Sequence, residues 1–494
     1  KEQQSNPIFR YRIDENYTRP FEAAFGFGDP DVSTNNTQFG VFLQDDWAIT
    51  SKLTINLGVR WDVETNMINN DYVTPQPIQD SLRGPLRGRF LVDRPRPRAD
   101  GTCCDIEQVD VIGQVGGLDR FLTNGRGDRP IYLGAWQPRL GASYDVFGNA
   151  RTVFFGGAGI YYDRTYWNSL FDERFRRQYH VLRVNFNDVG PTPQCPLCVE
   201  WDPIYYDPDE LRQLAGTAGL DELFLVANDL KPPKTHQFTA GIRQAFGNNQ
   251  LTLSYNGVRG FDGFNYVKAT NWGGLAPTYS QAFVTDDRVK TWYDAVQFQV
   301  ERPLRRTTAW GGSFAYTFST AESRGRIDDF FWDFNDQHPT VADMPRQRAP
   351  NNQAHTIVAH GIARLPFEFL GSAILNLGSG LTSNATDASA GWDFWKQTRY
   401  VYEPPKKPFL GMGRVFSTQS LDLRLQKDFT FVPGQSASLV LDLFNAFNSE
   451  NWGCYRTTIK PPSDPNQDIG IPDCSGPGRR VQVGLRYGYR PRAE

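Results

Sequence analysis

Residues 53–63 (LTINLGVRWDV) carry an apolar side chain at every second position: Leu53, Ile55, Leu57, Val59, Trp61 and Val63. Thr54, Asn56, Gly58, Arg60 and Asp62 lie between them. Successive side chains of a β-strand point to opposite faces, so this stretch is a ribbon with one apolar and one polar face. At about 3.3 Å per residue and a tilt of roughly 45°, such a ribbon climbs about 25 Å, the height of the apolar band on a membrane barrel. Strands of soluble proteins have a mode of about 5–6 residues. The length of the alternation therefore points to lipid as the solvent of the apolar face.

The pattern recurs near 38–47, 138–146, 152–162, 236–244, 250–257, 292–301, 310–320, 355–364, 370–377, 421–431, 438–447 and 481–490, which gives about thirteen strands. In LDLRLQKDF, Leu421, Leu423 and Leu425 alternate with Asp422, Arg424 and Gln426; in VQVGLRYGY, Val481, Val483, Leu485, Tyr487 and Tyr489 alternate with Gln482, Gly484, Arg486 and Gly488. A soluble sandwich shows the same alternation with its apolar face in a core. The connections separate the two cases. Short links at 48–52, 147–150, 246–249, 302–307, 365–368 and 432–434 alternate with long ones at 64–137, 163–235, 258–291, 321–354, 378–420 and 448–480. Compact domains rarely carry a structureless loop beyond about 15 residues. Long links on every second connection elaborate one end of the sheet only, as in outer-membrane barrels with short periplasmic turns and long external loops. If the C-terminus is periplasmic, parity places every long link outside.

Length alone, 494 residues, suggests about three soluble domains. No composition break divides the chain, and its glycines, prolines and aromatic residues are spread throughout, so one architecture fits better. No stretch reaches the roughly 18–20 apolar residues of a transmembrane helix, although mean hydropathy of −0.51 says little about a barrel, where the two faces cancel. A formal net charge of −3 gives no reason to expect a nucleic-acid partner.

Residue chemistry favours binding over catalysis. Of the five histidines, the closest pair, His355 and His360, falls five apart on one strand and hence on opposite faces. Neither a Gly-x-Ser-x-Gly elbow nor a His-Glu-x-x-His pair occurs, so no catalytic residue and no cofactor is expected. All six cysteines, Cys103, Cys104, Cys195, Cys198, Cys454 and Cys474, fall in long links, where an oxidising exterior favours disulfides. Cys195 and Cys198 form a Cys-x-x-Cys that lacks the second half of a zinc site, and Cys454 with Cys474 is the expected staple. Asp464, Asn466 and Asp468 have calcium-loop spacing, but the glycine comes one place late and Ser475 replaces the bidentate glutamate, so an acidic turn is the expectation. Asp329, Phe331, Trp332, Asp333 and Phe334 set carboxylates beside aromatics in one long link, with Trp392 and Trp395 in the next. Such groups stack on sugars or grip peptides, and equally pack loops together.

The segments FGVFLQDDWAITSKLTINLGVRWD (39–62), PRLGASYDVFGNARTVFFGGAGIYYDR (138–164), LDLRLQKDFTF (421–431) and LVLDLFNAFNSENWG (439–453) resemble barrel strands of TonB-dependent outer-membrane receptors of the Oar-like branch. The similarity spans most strands from about residue 37 onward. It implies an all-β transmembrane antiparallel barrel of 22 strands, an N-terminal plug, and substrate uptake energised through TonB. On that pattern residues 37–494 are the C-terminal portion of the barrel and residues 1–36 an extracellular loop or the end of an earlier strand. About nine strands, the plug and its TonB-contacting box then lie outside this chain. The chain also departs from the family in ending on RYGYRPRAE rather than on an aromatic residue. The resemblance further implies a wall in outer-membrane lipid, with Arg60, Asp62, Arg424 and Arg486 facing the plug and the external loops capturing a substrate whose identity stays open. Two other expectations remain: a structural or adhesive barrel whose loops bind a partner protein, and a plugless passive channel of about fourteen strands closed by residues 8–13 (IFRYRI).

Overall fold

The computed structural model describes residues 6–11, 19–96, 105–164, 167–186, 198–271, 274–325, 338–349, 352–387, 400–410, 413–432, 435–460 and 464–489. Thirteen strands form one antiparallel wall in which each pairs with its neighbours in sequence: β1 (Gln38–Ala48), β2 (Leu53–Glu64), β3 (Ala135–Asp145), β4 (Thr152–Tyr162), β5 (Lys234–Phe246), β6 (Asn249–Lys268), β7 (Tyr279–Arg302), β8 (Trp310–Arg324), β9 (His355–Arg364), β10 (Phe369–Gly378), β11 (Thr418–Val432), β12 (Gln435–Phe444) and β13 (Arg480–Tyr489). They are the thirteen segments expected from the alternation. At the short ends the turns are tight, and Gly247 takes a left-handed φ of 58° in the two-residue link between β5 and β6, a conformation that glycine adopts without strain.

The register carries one apolar face from strand to strand. Directly opposed residues in an antiparallel pair share a face. Leu57 therefore joins Asp45 of β1 and Leu140 of β3, and Leu140 joins Ala158 of β4. At the other edge Ala373, Leu423, Leu443 and Val481 line up across β10 to β13. Large apolar side chains stay exposed along this face, among them Leu43, Trp136, Leu140, Phe154, Val296, Leu441, Val483 and Leu485. An uncovered apolar surface of this extent is unstable in water and stable in hydrocarbon. Arg60, Asp62, Arg424 and Arg486 occupy the opposite, polar face.

Among the described residues the wall is open: β1 and β13 end the sheet without pairing to each other. Of the fourteenth strand expected at residues 8–13, the described part, Ile8–Tyr11, does not join it. Ile8–Tyr11 instead pairs with Pro20–Gly28, which pairs with Tyr179–Asn185, in a separate three-stranded sheet. Phe9 packs edge-on against Tyr206 and Trp201, with centroids 5.3 and 6.2 Å away.

A second correction concerns the long links, whose described residues include folded elements rather than only structureless loop. β6 and β7 run 20 and 24 residues, well past the expected 250–257 and 292–301, so the link read as 258–291 shrinks to 269–278. Toward the tip of this hairpin side chains on both faces are buried: Phe264, Tyr266, Phe283, Val284 and Val289 belong to one core, and Asp221–Leu225 pairs in parallel with β7. Burial on both faces erases the period of two that marked the lower strands. Ile68, Leu82, Leu86, Phe121 and Leu223, from the links at 65–134 and 163–233, complete that core. The helix Pro208–Ala218 starts where Asp207 accepts from the backbone N–H of Asp209 at 2.8 Å and presses Leu211 and Ala215 inward.

Candidate functional site

Two surfaces can meet a solute, the polar face of the wall and the body built by the long links. On the wall, Arg60 Nε donates to Asp62 Oδ2 at 2.8 Å, and Gln137 of β3 donates to the same carboxylate. Arg139 follows, its guanidinium carbon 4.5 Å from the ring centroid of Tyr161. Across the wall Arg424 forks onto Asp442, at 2.6 and 3.1 Å. The Gln137–Asp62 and Arg424–Asp442 bonds cross from strand to strand, and with the Arg60–Asp62 pair within β2 they give the polar face fixed donors and acceptors suited to polar contacts.

The body is held by charged groups removed from water. Arg129 and Glu173, from different links, have side chains 0% and 1% exposed and pair at 2.6 and 2.8 Å. Arg129 also donates to Ile68 O (3.0 Å), Val226 O (2.9 Å) and Asn228 Oδ1 (2.8 Å), while Glu173 accepts from Val226 N at 2.9 Å. Arg183 sits between Glu222 (2.8 Å) and Glu22 (2.7 Å), tying the N-terminal sheet to the body. Arg94 reaches Asp343 at 3.2 Å and brings in the link at 325–354. Beside that contact the His338 imidazole is held below its usual range by burial, with Arg94 acting in the same direction and Asp343 against it. The Tyr11 hydroxyl is pushed up to about 12 by burial and by its 3.0 Å hydrogen bond with Tyr206. None of these residues was singled out from the sequence, because each pair joins positions far apart in the chain.

A cavity of about 700 Å³ opens on the body between the helix Gln76–Arg83 and the hairpin Leu91–Arg96/Asp105–Asp110, with Phe90 and Ile112 in its floor and Arg83, Arg87 and Asp119 among its lining. Arg83 is committed to Asp119 at 2.9 Å. Its mixed lining suits a small ligand with both polar and apolar parts.

Asp329, Phe331, Trp332, Asp333 and Phe334, with Trp392 and Trp395, lie outside the described residues, as do Cys103, Cys104 and Cys195. Cys198 is disulfide-bonded. Cys454 and Cys474 are joined, with Cα atoms 5.3 Å apart. Asp468 is paired with Arg456 (2.7 Å) and Lys460 (2.9 Å), which hold its carboxyl below the usual carboxylate range, Lys460 foremost. Asp464 Oδ1 accepts from the backbone N–H of Asn466 at 2.8 Å. Among the described residues no group of three or more His, Cys, Asp or Glu side chains is gathered as a metal site. His355 and His360 lie on opposite faces, bonded to Tyr316 OH (2.8 Å) and Ser313 Oγ (2.9 Å) respectively.

A membrane-height wall with one exposed apolar side and elaborated links at one end is the architecture of an outer-membrane β-barrel protein. The family profile described as "Outer membrane beta barrel domain" matches residues 19–400, and the chain belongs to that family and to the bacterial outer membrane. Over 145 residues, 29% of this chain and 8% of the relative, it is 27% identical to the TonB-dependent transporter Oar of Myxococcus xanthus. Similar solved structures include the outer membrane transporter YddB from Escherichia coli (10% identity, 94% of this chain and 54% of that chain, TM-score 0.49). Another is the siderophore receptor PirA from Acinetobacter baumannii (10% identity, 95% and 51% covered, TM-score 0.45). The chain thus spans about half the length of these solved structures and under a tenth of the curated relative.

Proposed function

We propose that this chain is the C-terminal wall and outer body of a TonB-dependent outer-membrane transporter, with a plug and further strands completing the barrel. The observation that carries this reading is the wall itself. A largely apolar face runs over all thirteen strands, the polar face is laced with cross-strand hydrogen bonds, and among the described residues β1 and β13 end the sheet without pairing to each other. An open sheet edge in hydrocarbon leaves backbone groups without partners at several kcal/mol each, so further strands are required to close it. The likeness to Oar supplies the TonB-dependent class. In this reading the long links face outward and capture substrate, residues 1–36 belong to that outer body, and the polar face lines the path beside the plug. The segment holding Asp329, Phe331, Trp332, Asp333 and Phe334, together with Trp392 and Trp395, supplies substrate contacts. No catalytic step is assigned.

The test uses the full-length protein in its own cells. Spent medium is profiled for solutes depleted by wild-type cells and not by cells lacking the gene. Deleting the TonB-contacting segment alone should stop that depletion while folded barrel persists in the outer membrane. Continued depletion would assign passive conduction, and absence of any gene-dependent depletion, with cell or protein adhesion lost in the deletion strain, would assign the adhesive function.

A further inference from the structure

From the short turn upward, the lipid-side face of β7 presents Val300, Phe298 and Val296, then Asp294 and Trp292, then Lys290. Lys290 stands twelve residues above the end of the strand at Arg302, a climb of about 28 Å at 3.3 Å per residue and a 45° tilt, just past an apolar band about 25 Å tall. Directly opposite it, on the same face of β8, is Arg324. Like charges facing each other across a strand pair destabilise it. Neighbouring described cations each have a carboxylate: Lys234 has Asp262 (2.8 Å), Arg259 has Asp294 (2.8 Å), Arg288 has Asp286 (2.6 Å) and Arg346 has Glu322 (2.7 Å). Lys290 and Arg324 have none among the described residues. The Lys290 ammonium is exposed and 6.0 Å from the centroid of Phe261, and Arg324 Nε is buried without a hydrogen-bond partner. His236, also exposed, lies against the same Phe261 ring at 5.0 Å. Trp292, beneath the Arg346 guanidinium at 4.4 Å, marks the aromatic level where hydrocarbon gives way to headgroups.

We propose that Lys290 and Arg324 form a phosphate-binding site on the lipid side of the wall, occupied by the phosphorylated headgroup of an outer-leaflet glycolipid. A phosphate between the two cations removes their repulsion and supplies acceptors to donors left open, the guanidinium by a planar fork and the ammonium as a point charge. The site lies outside the substrate path and rests on the outward orientation of the links proposed above.

The test measures binding of bisphosphorylated lipid A, and of the same glycolipid stripped of phosphate, to the full-length protein in detergent by native mass spectrometry. Wild type should prefer the phosphorylated form, and K290Q/R324Q should bind it about 25-fold more weakly, about fivefold for each cation removed. K290R/R324K, which keeps both charges, should lose far less affinity than K290Q/R324Q, and millimolar inorganic phosphate should not displace the lipid. Equal binding of the two glycolipids by wild type, full retention by K290Q/R324Q, or displacement by inorganic phosphate would each overturn the proposal. The first comparison needs no variant, so it decides even if K290Q/R324Q fails to insert. The orientation is read separately, by reaction of a cysteine introduced in the link at 163–233 with an impermeant reagent on intact cells. An unreactive cysteine there contradicts the orientation, whereas lost phosphate preference beside a reactive cysteine contradicts only the lipid site.

Discussion

Glu173→Ala should loosen the outer body while leaving the wall intact. The substitution strips Arg129 of both carboxylate bonds and leaves the Val226 N–H without its acceptor, in a place where the two side chains are 0% and 1% exposed. Orphaned buried donors cost about 1–3 kcal/mol each, and a buried charge deprived of its partner costs about 3–5 kcal/mol in all. Hydrogen exchange on the full-length protein in micelles reads this directly. At about 1.4 kcal/mol per tenfold, exchange of the Val226 and Asn228 amides should accelerate by roughly two to three and a half orders of magnitude. The amides of β12 should not change. Arg129→Met combined with Glu173→Leu should recover part of the protection, because matched apolar groups leave no uncompensated charge, although the Val226 N–H still lacks its acceptor. An acceleration below tenfold, or equal loss of protection in β12, would refute the view that this ion pair clasps a separately stabilised body.

Reducing the Cys454–Cys474 bond, which closes a 20-residue separation, should destabilise the link at 445–479 by about 3 kcal/mol, seen as protease cleavage there under reducing conditions and in Cys454→Ser/Cys474→Ser, with the wall fragments uncut. Because burial keeps His338 below its unfolded value of 6.5, the folded state takes up its proton later than the unfolded chain as pH falls. Its contribution is therefore complete above about pH 6.5 and is lost as pH drops from there toward the folded value, and His338→Gln should flatten the acid limb of body protection measured by exchange. Leu441→Arg, on the apolar face, should cost about 2–4 kcal/mol in urea unfolding from bilayers, while Val440→Arg on the polar face should cost far less.

The wall was legible because a membrane strand solvated differently on its two faces must alternate, and Leu53 to Val63 or Leu421 to Leu425 announce that directly. Strand ends were legible only where the alternation stopped with the strand. On β6 and β7 the pattern ended at the membrane boundary while the strands continued, since Tyr266 and Val267 are buried alike despite pointing to opposite faces. Ile8–Tyr11 alternates like a wall strand, yet its partner is settled by contact with Pro20–Gly28, which no local pattern encodes. The clasp was hidden for a related reason: Arg129 and Glu173 are 44 residues apart, and neither neighbourhood marks its charged residue as buried. The Cys454–Cys474 staple was readable because two cysteines in one link have few other partners within reach.

Single cysteines at residues 438–443 of β12, each carrying a nitroxide in the full-length protein in bilayers, test the lipid-facing assignment most directly. Leu439, Leu441 and Leu443 should relax with oxygen dissolved in the membrane, while Ser438, Val440 and Asp442 should relax with a water-soluble nickel complex, alternating with a period of two. Uniform exposure to the aqueous reagent along the strand, or the opposite phase, would contradict the account.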